Sequence, residues 1–195
     1  HPYYSLQDQY RDTAQRLFGV GSLINLNLDR FRSNVKQVEL LDRRAHNLTT
    51  YKESGGFMAI HTKADKGDLD MNRSVAEVLA KEKGYGVVIR EHLEDGTPNP
   101  ELLVNQVLSD VKTPKRPYGL DNLLRKAGKQ GLDNVVWMVS GTPSLKDISK
   151  GLRRGFHNRS GIQYIDIIYK GKGLRVDRAL FERGEIIKEL ELIWK

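Results

Sequence analysis

The stretch that decides the fold runs from position 99 to position 114 and reads Asn99-Pro-Glu-Leu-Leu-Val-Asn-Gln-Val-Leu-Ser-Asp-Val-Lys-Thr-Pro114. Two apolar runs flank Asn105-Gln106, which predicts two strands joined by a two-residue turn. With that turn, Glu101 lies directly opposite Asp110, and Lys112 shares the face of Asp110 because side chains alternate along a strand. Facing carboxylates repel, so the lysine ammonium, a bound metal or a basic substrate-binding surface must neutralise them.

The composition limits the class of protein. The chain has 195 residues, enough for one sizeable domain, and its 32 Lys and Arg against 25 Asp and Glu give a formal charge of +7. This basic excess favours a polyanionic partner, although many soluble proteins without such a partner share it. The absence of cysteine excludes disulfides and thiolate metal sites, and no apolar run approaches the roughly 20 residues of a membrane span. Because the chain begins His-Pro-Tyr-Tyr without an initiator Met, we expect a fragment of a longer protein.

The hydrophobic pattern divides the chain into two predicted domains. Residues 1–53 form a polar helical arm or linker, with two helices separated by a glycine turn near residues 18–24. Residues 54–195 alternate between strand and helix patterns and end in a closing C-terminal helix. The continuous apolar run at residues 134–139 is typical of a strand buried on both faces. The whole order predicts the α+β class.

Several motifs in order carry a family resemblance. They are Gly55-Gly-Phe-Met-Ala-Ile-His61, Asp68-Leu-Asp-Met-Asn72, Ala80-Lys-Glu-Lys-Gly-Tyr85, Asn99-Pro-Glu101, Ser109-Asp-Val-Lys-Thr-Pro114 and Lys126-Ala-Gly-Lys-Gln130. Together they resemble the barnase/EndoU/colicin E5–D/RelE-like (BECR) nuclease domains at the C-termini of contact-dependent inhibition toxins, polymorphic toxins and phage head proteins. The family often has Asp after the Pro and Asn-Gly at the hairpin turn, where this chain has Glu101 and Asn105-Gln106.

The resemblance implies a fold and an activity. The expected fold is a twisted, mainly antiparallel β-sheet flanked by helices, and the expected activity is RNA cleavage, of tRNA in particular, by acid/base chemistry without an obligatory metal. As a toxin, the chain would be part of a larger exported or phage-borne protein and act in the cytoplasm of the target cell. The producing cell would then need an immunity protein, and an acidic one would complement the basic charge.

The candidate catalytic residues follow from what RNA cleavage requires. The reaction needs removal of the 2′-hydroxyl proton, charge stabilisation on the phosphate and protonation of the leaving oxygen. Lys112, with Asp110 and Glu101, is the strongest candidate centre. His157 is a candidate acid or base because imidazole as a class titrates near neutrality, and it lies in a basic stretch interpreted as a loop after a helix. A structural ion pair at Lys112 and a solvated helix end at His157 are the alternatives.

The candidate RNA contacts are basic or amide side chains near these positions. Lys115 and Arg116 adjoin Pro117-Tyr118, so a cation cluster meets an aromatic ring on which a base can stack. The full set of predicted RNA-binding residues is Lys115, Arg116, Gln130, Arg153, Arg154 and Arg159. Gln130 is expected to point toward the hairpin and orient a substrate or Lys112.

Two other functions remain open from the sequence. Pro100-Glu101 followed by Asp110-Val-Lys112 also matches a PD-(D/E)xK nuclease, in which Glu101 and Asp110 hold Mg²⁺ and the lysine orients water. That mechanism needs a third carboxylate from an earlier helix, such as Asp70 or Glu77. The second alternative is a non-catalytic nucleic-acid-binding or phage head-assembly module, in which the hairpin charges are structural.

Overall fold

The computed structural model describes residues 6–19, 27–96 and 99–194, and of residues 6–10 and Tyr118 it describes the backbone alone. The chain folds into two compact units, one of residues His1–His92 with Leu103–Gln106 and one of Leu93–Leu102 with Val107–Lys195. Both combine helices and strands, which confirms the α+β class. The glycine turn predicted near residues 18–24 lies mainly outside the described residues.

The first unit pairs three helices with four strands among the described residues. The helices are α1 (Leu6–Phe18), α2 (Leu28–Leu40) and α3 (Leu69–Lys83), and the strands are β1 (His46–Tyr51), β2 (Gly56–His61), β3 (Gly86–Ile89) and most of β4 (Leu102–Val104). Strand β1 pairs antiparallel with β2, whereas β2 and β3 are parallel because α3 returns the chain to the start of the next strand.

The helices of the predicted arm belong to the core of this unit. Phe18 of α1 and Phe31 of α2 meet edge to face at 5.3 Å and pack with Phe57 of β2. Asn34 of α2 is fully buried, and its amide donates to the carbonyls of Gly55 and Gly84, both at 2.8 Å. The compact units therefore do not coincide with the predicted domains 1–53 and 54–195, because α1 and α2 share their apolar faces with β2.

One hydroxyl of the first unit has a displaced pKa. Burial raises the pKa of Tyr51, at the end of β1, and the Glu77 carboxylate on α3 raises it further.

The second unit holds the following elements among the described residues: β5 (Val107–Lys112), a 3₁₀ helix (Pro117–Gly119), α4 (Leu120–Lys129), β6 (Asn134–Met138), α5 (Leu145–Asn158), β7 (Tyr164–Tyr169), β8 (Lys172–Asp177), α6 (Arg178–Glu182) and α7 (Ile186–Leu190). Strands β5, β6 and β7 are parallel neighbours, and β8 pairs antiparallel with β7. The predicted single closing helix is two short helices, separated at Gly184, whose φ is 69°.

The described strand pairings run in both directions. Three of the five described pairings are parallel, so the sheet is mixed. Helices α4 and α5 each form a crossover between neighbouring strands, and a crossover helix brings the chain back to begin the next strand in the same direction.

The two faces of the second unit's strands differ in character. On one face, Val135, Ile165 and Val176 align with Asp110 and pack under α4, α5 and α7. On the other face, Ser109 aligns with Asn134, so polar side chains enter the sheet there. Neighbouring residues of a strand point to opposite faces, so the side chains of Ser109 and Asp110 lie on opposite faces of the sheet although the residues are adjacent in sequence.

Helix α5 lies unusually close to its neighbours. A Cβ atom added at Gly151 would lie 2.7 Å from the Pro117 carbonyl oxygen, and one added at Gly155 would lie 2.5 Å from a methyl group of Leu124. Both glycines are needed for this close approach, which fixes α5 against α4 and the 3₁₀ helix.

Candidate functional site

The predicted two-residue turn is present. Strand β4 ends at Val104 and β5 begins at Val107, and Asn105 and Gln106 have φ values of 50° and 68°. Positive φ at both central residues is the requirement of a type I′ turn, whose twist matches that of the flanking strands. The Asn105 side-chain carbonyl also accepts a hydrogen bond of 3.1 Å from the backbone N–H of Gly86, which anchors the turn.

The turn leads into the candidate centre on β5. The Lys112 ammonium donates to Asp110 Oδ2 at 2.7 Å, which confirms that the two side chains share a face. The backbone N–H of Val111 donates to the other oxygen, Asp110 Oδ1, at 3.1 Å. The Lys112 side chain is 14% exposed and the Asp110 side chain 21%, so the pair is shielded but still reached by solvent. This geometry holds the Lys112 ammonium in a defined position from which it can donate a hydrogen bond to a bound anion.

Two further residues, Glu101 and Trp137, are relevant to the Asp110–Lys112 pair because of their places in the strands. Glu101 is half-buried just before β4, and its position opposite Asp110 stays a prediction from the turn. Trp137 of β6 is the register partner of Lys112, is 1% exposed, and its indole Nε1–H has no hydrogen-bond partner among the described residues. Sequence reasoning missed Trp137 because it lies inside an apolar strand. Its signal was an indole N–H donor among apolar neighbours.

The basic stretch that was interpreted as a loop belongs to α5. Ser144 caps the helix by accepting a 3.1 Å hydrogen bond from the Asp147 N–H, and the helix continues to Asn158. The loop interpretation was wrong because the helix continues through Gly155, where a Cβ atom would lie 2.5 Å from a methyl group of Leu124 on α4. His157 therefore occupies the last helical turn.

The exposed side of α5 forms a shallow depression of about 470 Å³. It is lined by Lys150, Arg153, Arg154, His157 and Phe181. Arg153, Arg154 and His157 are all exposed, so the structure brings three of the predicted residues to one surface. Lys150 is not among the residues predicted from the sequence, although it lies three and four positions before Arg153 and Arg154, a spacing that places it next to them on a helix.

Arg159 differs from the other predicted basic residues. It follows α5 directly, and its guanidinium Nε lies 3.3 Å from Asp121 Oδ1 of α4. Its side chain is 29% exposed, and this ion pair directs it toward α4. Arg178 reinforces the same corner by donating to the backbone carbonyls of Phe156, Arg159 and Ile162. Both arginines thus stabilise the carboxyl end of α5, where a positive charge also complements the helix dipole.

The remaining predicted RNA-binding residues are on the surface. Lys115 and Arg116 are exposed between β5 and the 3₁₀ helix, and the Tyr118 side chain predicted to stack a base lies outside the described part. Gln130 is exposed at the carboxyl end of α4.

Gln130 and His157 are not at the same strand end as Lys112. Helices α4 and α5 run antiparallel to the strands they connect, so their carboxyl ends lie at the end where β6 and β7 begin. Lys112 lies at the end where β5 finishes. The expectation that Gln130 points toward the hairpin and orients a substrate or Lys112 stays a prediction.

A second cluster, absent from the sequence analysis, crosses the opposite face of the sheet. Asp166 of β7 is completely buried and accepts two hydrogen bonds from the Arg175 guanidinium, at 2.8 and 2.9 Å. The Asn134 amide links this pair to β5 by donating to Asp166 at 3.2 Å and to the Ser109 hydroxyl at 2.7 Å. We call these four residues the buried polar ladder. It ties β5, β6, β7 and β8 together directly behind the Asp110–Lys112 pair.

The residues named for a magnesium centre come from both compact units. Glu101 and Asp110 belong to the second unit, whereas Asp70 and Glu77 lie on α3 in the first. Among the described residues, no helix has the length and apolar character needed to cross a membrane.

The comparisons with known proteins add no relative. The resemblance to the toxin nucleases therefore rests on the motifs and the site alone. Comparison of the chain with protein-family models, with curated proteins and with solved structures finds no match.

Proposed function

We propose that this chain is a ribonuclease whose centre is the Asp110–Lys112 pair. The observation that carries the proposal is the 2.7 Å contact of a partly exposed ammonium with a single carboxylate oxygen at the end of β5. A cation held in this way is oriented before substrate arrives, and it can transfer its hydrogen bonds to a phosphate with little rearrangement.

The proposed reaction is attack of a ribose 2′-oxygen on the adjacent phosphorus. Asp110 has a donor on each oxygen and is suited to orienting Lys112, so Glu101 is the proposed acceptor of the 2′-hydroxyl proton. Lys112 stabilises the negative charge that develops on the non-bridging phosphate oxygens. The bond to the 5′-oxygen breaks as that oxygen takes a proton from a solvent water molecule, which leaves a 2′,3′-cyclic phosphate and a 5′-hydroxyl.

His157 is predicted from the sequence as a candidate acid or base. Its place at the carboxyl end of α5, beside Lys150, Arg153 and Arg154, favours phosphate binding instead. We therefore assign His157 to the binding surface and expect its removal to weaken RNA affinity more than turnover.

The proposed substrate is RNA, and tRNA in particular, held through the exposed cations of α5 and through Lys115 and Arg116. The formal charge of +7 favours such a polyanion. If the chain is a toxin from a larger exported or phage-borne protein, it acts in the cytoplasm of the target cell, and an acidic immunity protein would protect the producer.

The magnesium-dependent alternative makes a different demand on Asp110. A cation bound to this carboxylate must compete with the Lys112 ammonium on Oδ2 and the Val111 N–H on Oδ1. That arrangement favours a reaction without an obligatory metal, and chelation tests it directly.

The deciding experiment is incubation of the purified chain with total tRNA, with Mg²⁺ or with EDTA, beside Lys112→Ala. Lys172→Ala is a matched control because Lys172 is an exposed lysine at the start of β8. Cleavage that survives EDTA, is lost in Lys112→Ala and is retained in Lys172→Ala supports the proposal. Cleavage abolished by EDTA moves the assignment to the magnesium mechanism. Salt-sensitive RNA binding without cleavage in either condition moves it to a non-catalytic binding module.

A further inference from the structure

We propose that the exposed face of α5 docks on base-paired RNA by following the phosphates of one strand. The surface, here called the α5 basic surface, consists of Lys146, Lys150, Arg153, Arg154 and His157. The inference rests on the proposed function for its choice of RNA as the ligand. It adds Lys146 and Lys150 to the predicted RNA-binding residues, and it specifies base-paired RNA.

The spacing of these residues forms one line along the helix. Lys146, Lys150, Arg153 and His157 are separated by four, three and four positions, and residues at such separations are neighbours on a helix surface. At about 1.5 Å of rise per residue, the line is roughly 16 Å long. A line of this length can contact more than one phosphate of the same strand in an A-form RNA duplex.

The charge of this face is not neutralised within the described part of the chain. None of the five side chains takes part in an ion pair there, in contrast with Arg159, which is paired with Asp121. The one acidic residue on the exposed side, Asp147, lies in the first helical turn, where the dipole favours a negative charge. An external polyanion is therefore the complementary partner of the α5 basic surface.

The aromatic content of the surface favours a duplex over a single strand. Proteins that bind single-stranded RNA stack its bases on exposed aromatic rings, whereas duplex RNA is bound through phosphates and shape. No Phe, Tyr or Trp side chain is exposed on the described part of α5, and the only exposed ring there is the imidazole of His157. The ring that borders the depression, Phe181, is stacked on the buried ring of Phe156 at a centroid distance of 5.6 Å. One of its faces is thus already covered.

The helix is also rigid enough to present a fixed line of charge. Gly151 and Gly155 allow close contact with the 3₁₀ helix and α4, and Arg178 holds the backbone carbonyls at the carboxyl end. A surface that is ordered before binding loses less conformational entropy when RNA docks.

The test measures binding, not turnover. Fluorescence anisotropy is followed with a labelled RNA hairpin stem and with one unpaired strand of the same stem, from 0.05 to 0.3 M NaCl. The triple variant Lys146→Gln, Lys150→Gln, Arg153→Gln is compared with Lys126→Gln, Lys129→Gln, Lys172→Gln, which removes equal charge from other exposed sites of the same unit. Far-ultraviolet circular dichroism verifies that both variants are folded.

We expect the parent chain to bind the stem at least tenfold more tightly than the single strand. The α5 variant should lose at least tenfold in stem affinity, and its salt slope should fall by about two to three because three phosphate contacts are removed. The control variant should lose less than threefold. Equal or tighter binding of the single strand, or an equal loss in the control variant, overturns the inference.

The binding test of the α5 basic surface can succeed or fail independently of the cleavage test of the proposed ribonuclease function. Stem binding that depends on α5 without any RNA cleavage supports this inference and contradicts the ribonuclease assignment. Cleavage that depends on Lys112 with unchanged stem binding in the α5 variant does the reverse.

Discussion

Two aspartate–cation pairs lie on opposite faces of the second unit's strands, and they are built differently. Asp166 is completely buried, receives both arms of the Arg175 guanidinium and accepts a further bond from Asn134. Asp110 meets Lys112 through one 2.7 Å bond, and both side chains keep some contact with solvent.

The difference indicates what each pair is suited to do. Two hydrogen bonds to one completely buried carboxylate hold the Arg175 guanidinium in a fixed orientation, and removal of either partner breaks a charge pair that is largely withdrawn from water. A single ammonium contact near solvent is weak and replaceable, so its cation can move to a phosphate. We therefore interpret the Asp166–Arg175 pair as structural and the Asp110–Lys112 pair as functional, and the predictions below test that division.

The largest expected effect is loss of stability on removal of the buried carboxylate. Asp166→Ala leaves the Arg175 guanidinium without its partner, and we expect the free energy of unfolding to fall by about 3 to 5 kcal/mol. Urea denaturation followed by circular dichroism measures the change. Asp110→Ala is the control and should cost less than about 1 kcal/mol. Equal costs for the two substitutions would remove the distinction between the pairs.

The next effect concerns turnover. Lys112→Ala should lower the rate of RNA cleavage by at least about 100-fold, as expected for loss of a group that stabilises transition-state charge, while the melting temperature changes little. Single-turnover cleavage and thermal denaturation of the same sample give both quantities. A variant that keeps its cleavage rate would assign Lys112 to a structural ion pair.

A smaller effect separates the buried polar ladder from the chemistry. Ser109→Ala removes the hydroxyl that accepts from Asn134, and we expect a cost of about 1 to 2 kcal/mol in stability because a buried amide N–H loses one partner. The cleavage rate per folded molecule should change less than threefold, although Ser109 is adjacent to Asp110. A selective loss of rate at unchanged stability would show that the ladder positions the catalytic strand.

The smallest effect is the response of each pair to salt. Double-mutant cycles at 0.05 and 0.5 M NaCl give a coupling energy for each pair. The Asp110–Lys112 coupling should be below about 1 kcal/mol and fall with added salt, since solvent reaches it. The Asp166–Arg175 coupling should be larger and insensitive to salt. The opposite order would indicate that the two pairs have been assigned the wrong roles.

Local sequence signals were sufficient for part of the fold and of the site. The Asn105-Gln106 turn and the shared face of Asp110 and Lys112 were predicted because each depends on residues close in sequence. Local signals also misled at residues 153–159, which were interpreted as a basic loop although α5 continues through Gly155, in close contact with Leu124, to Asn158. A glycine has the same sequence appearance in a loop and inside a helix.

The parallel pairing of the strands and the ion pair of Arg159 could not be predicted from neighbouring residues in the sequence. Helices α4 and α5 connect β5 to β6 and β6 to β7. The strand order that results depends on how these helices pack against the sheet. Arg159 was grouped with Arg153 and Arg154 by sequence proximity, but Asp121, 38 positions away, pairs with it.

The sequence by itself determined the Asn105-Gln106 turn and the placement of Lys112 beside Asp110, because backbone geometry fixes these relations within a few residues. Only the tertiary structure decided that Ser109, Asn134, Asp166 and Arg175 form one buried network. Their contacts join four strands, with no fixed spacing in sequence to reveal them. Burial gives those contacts their strength, and burial is a property of the assembled sheet and not of any single segment.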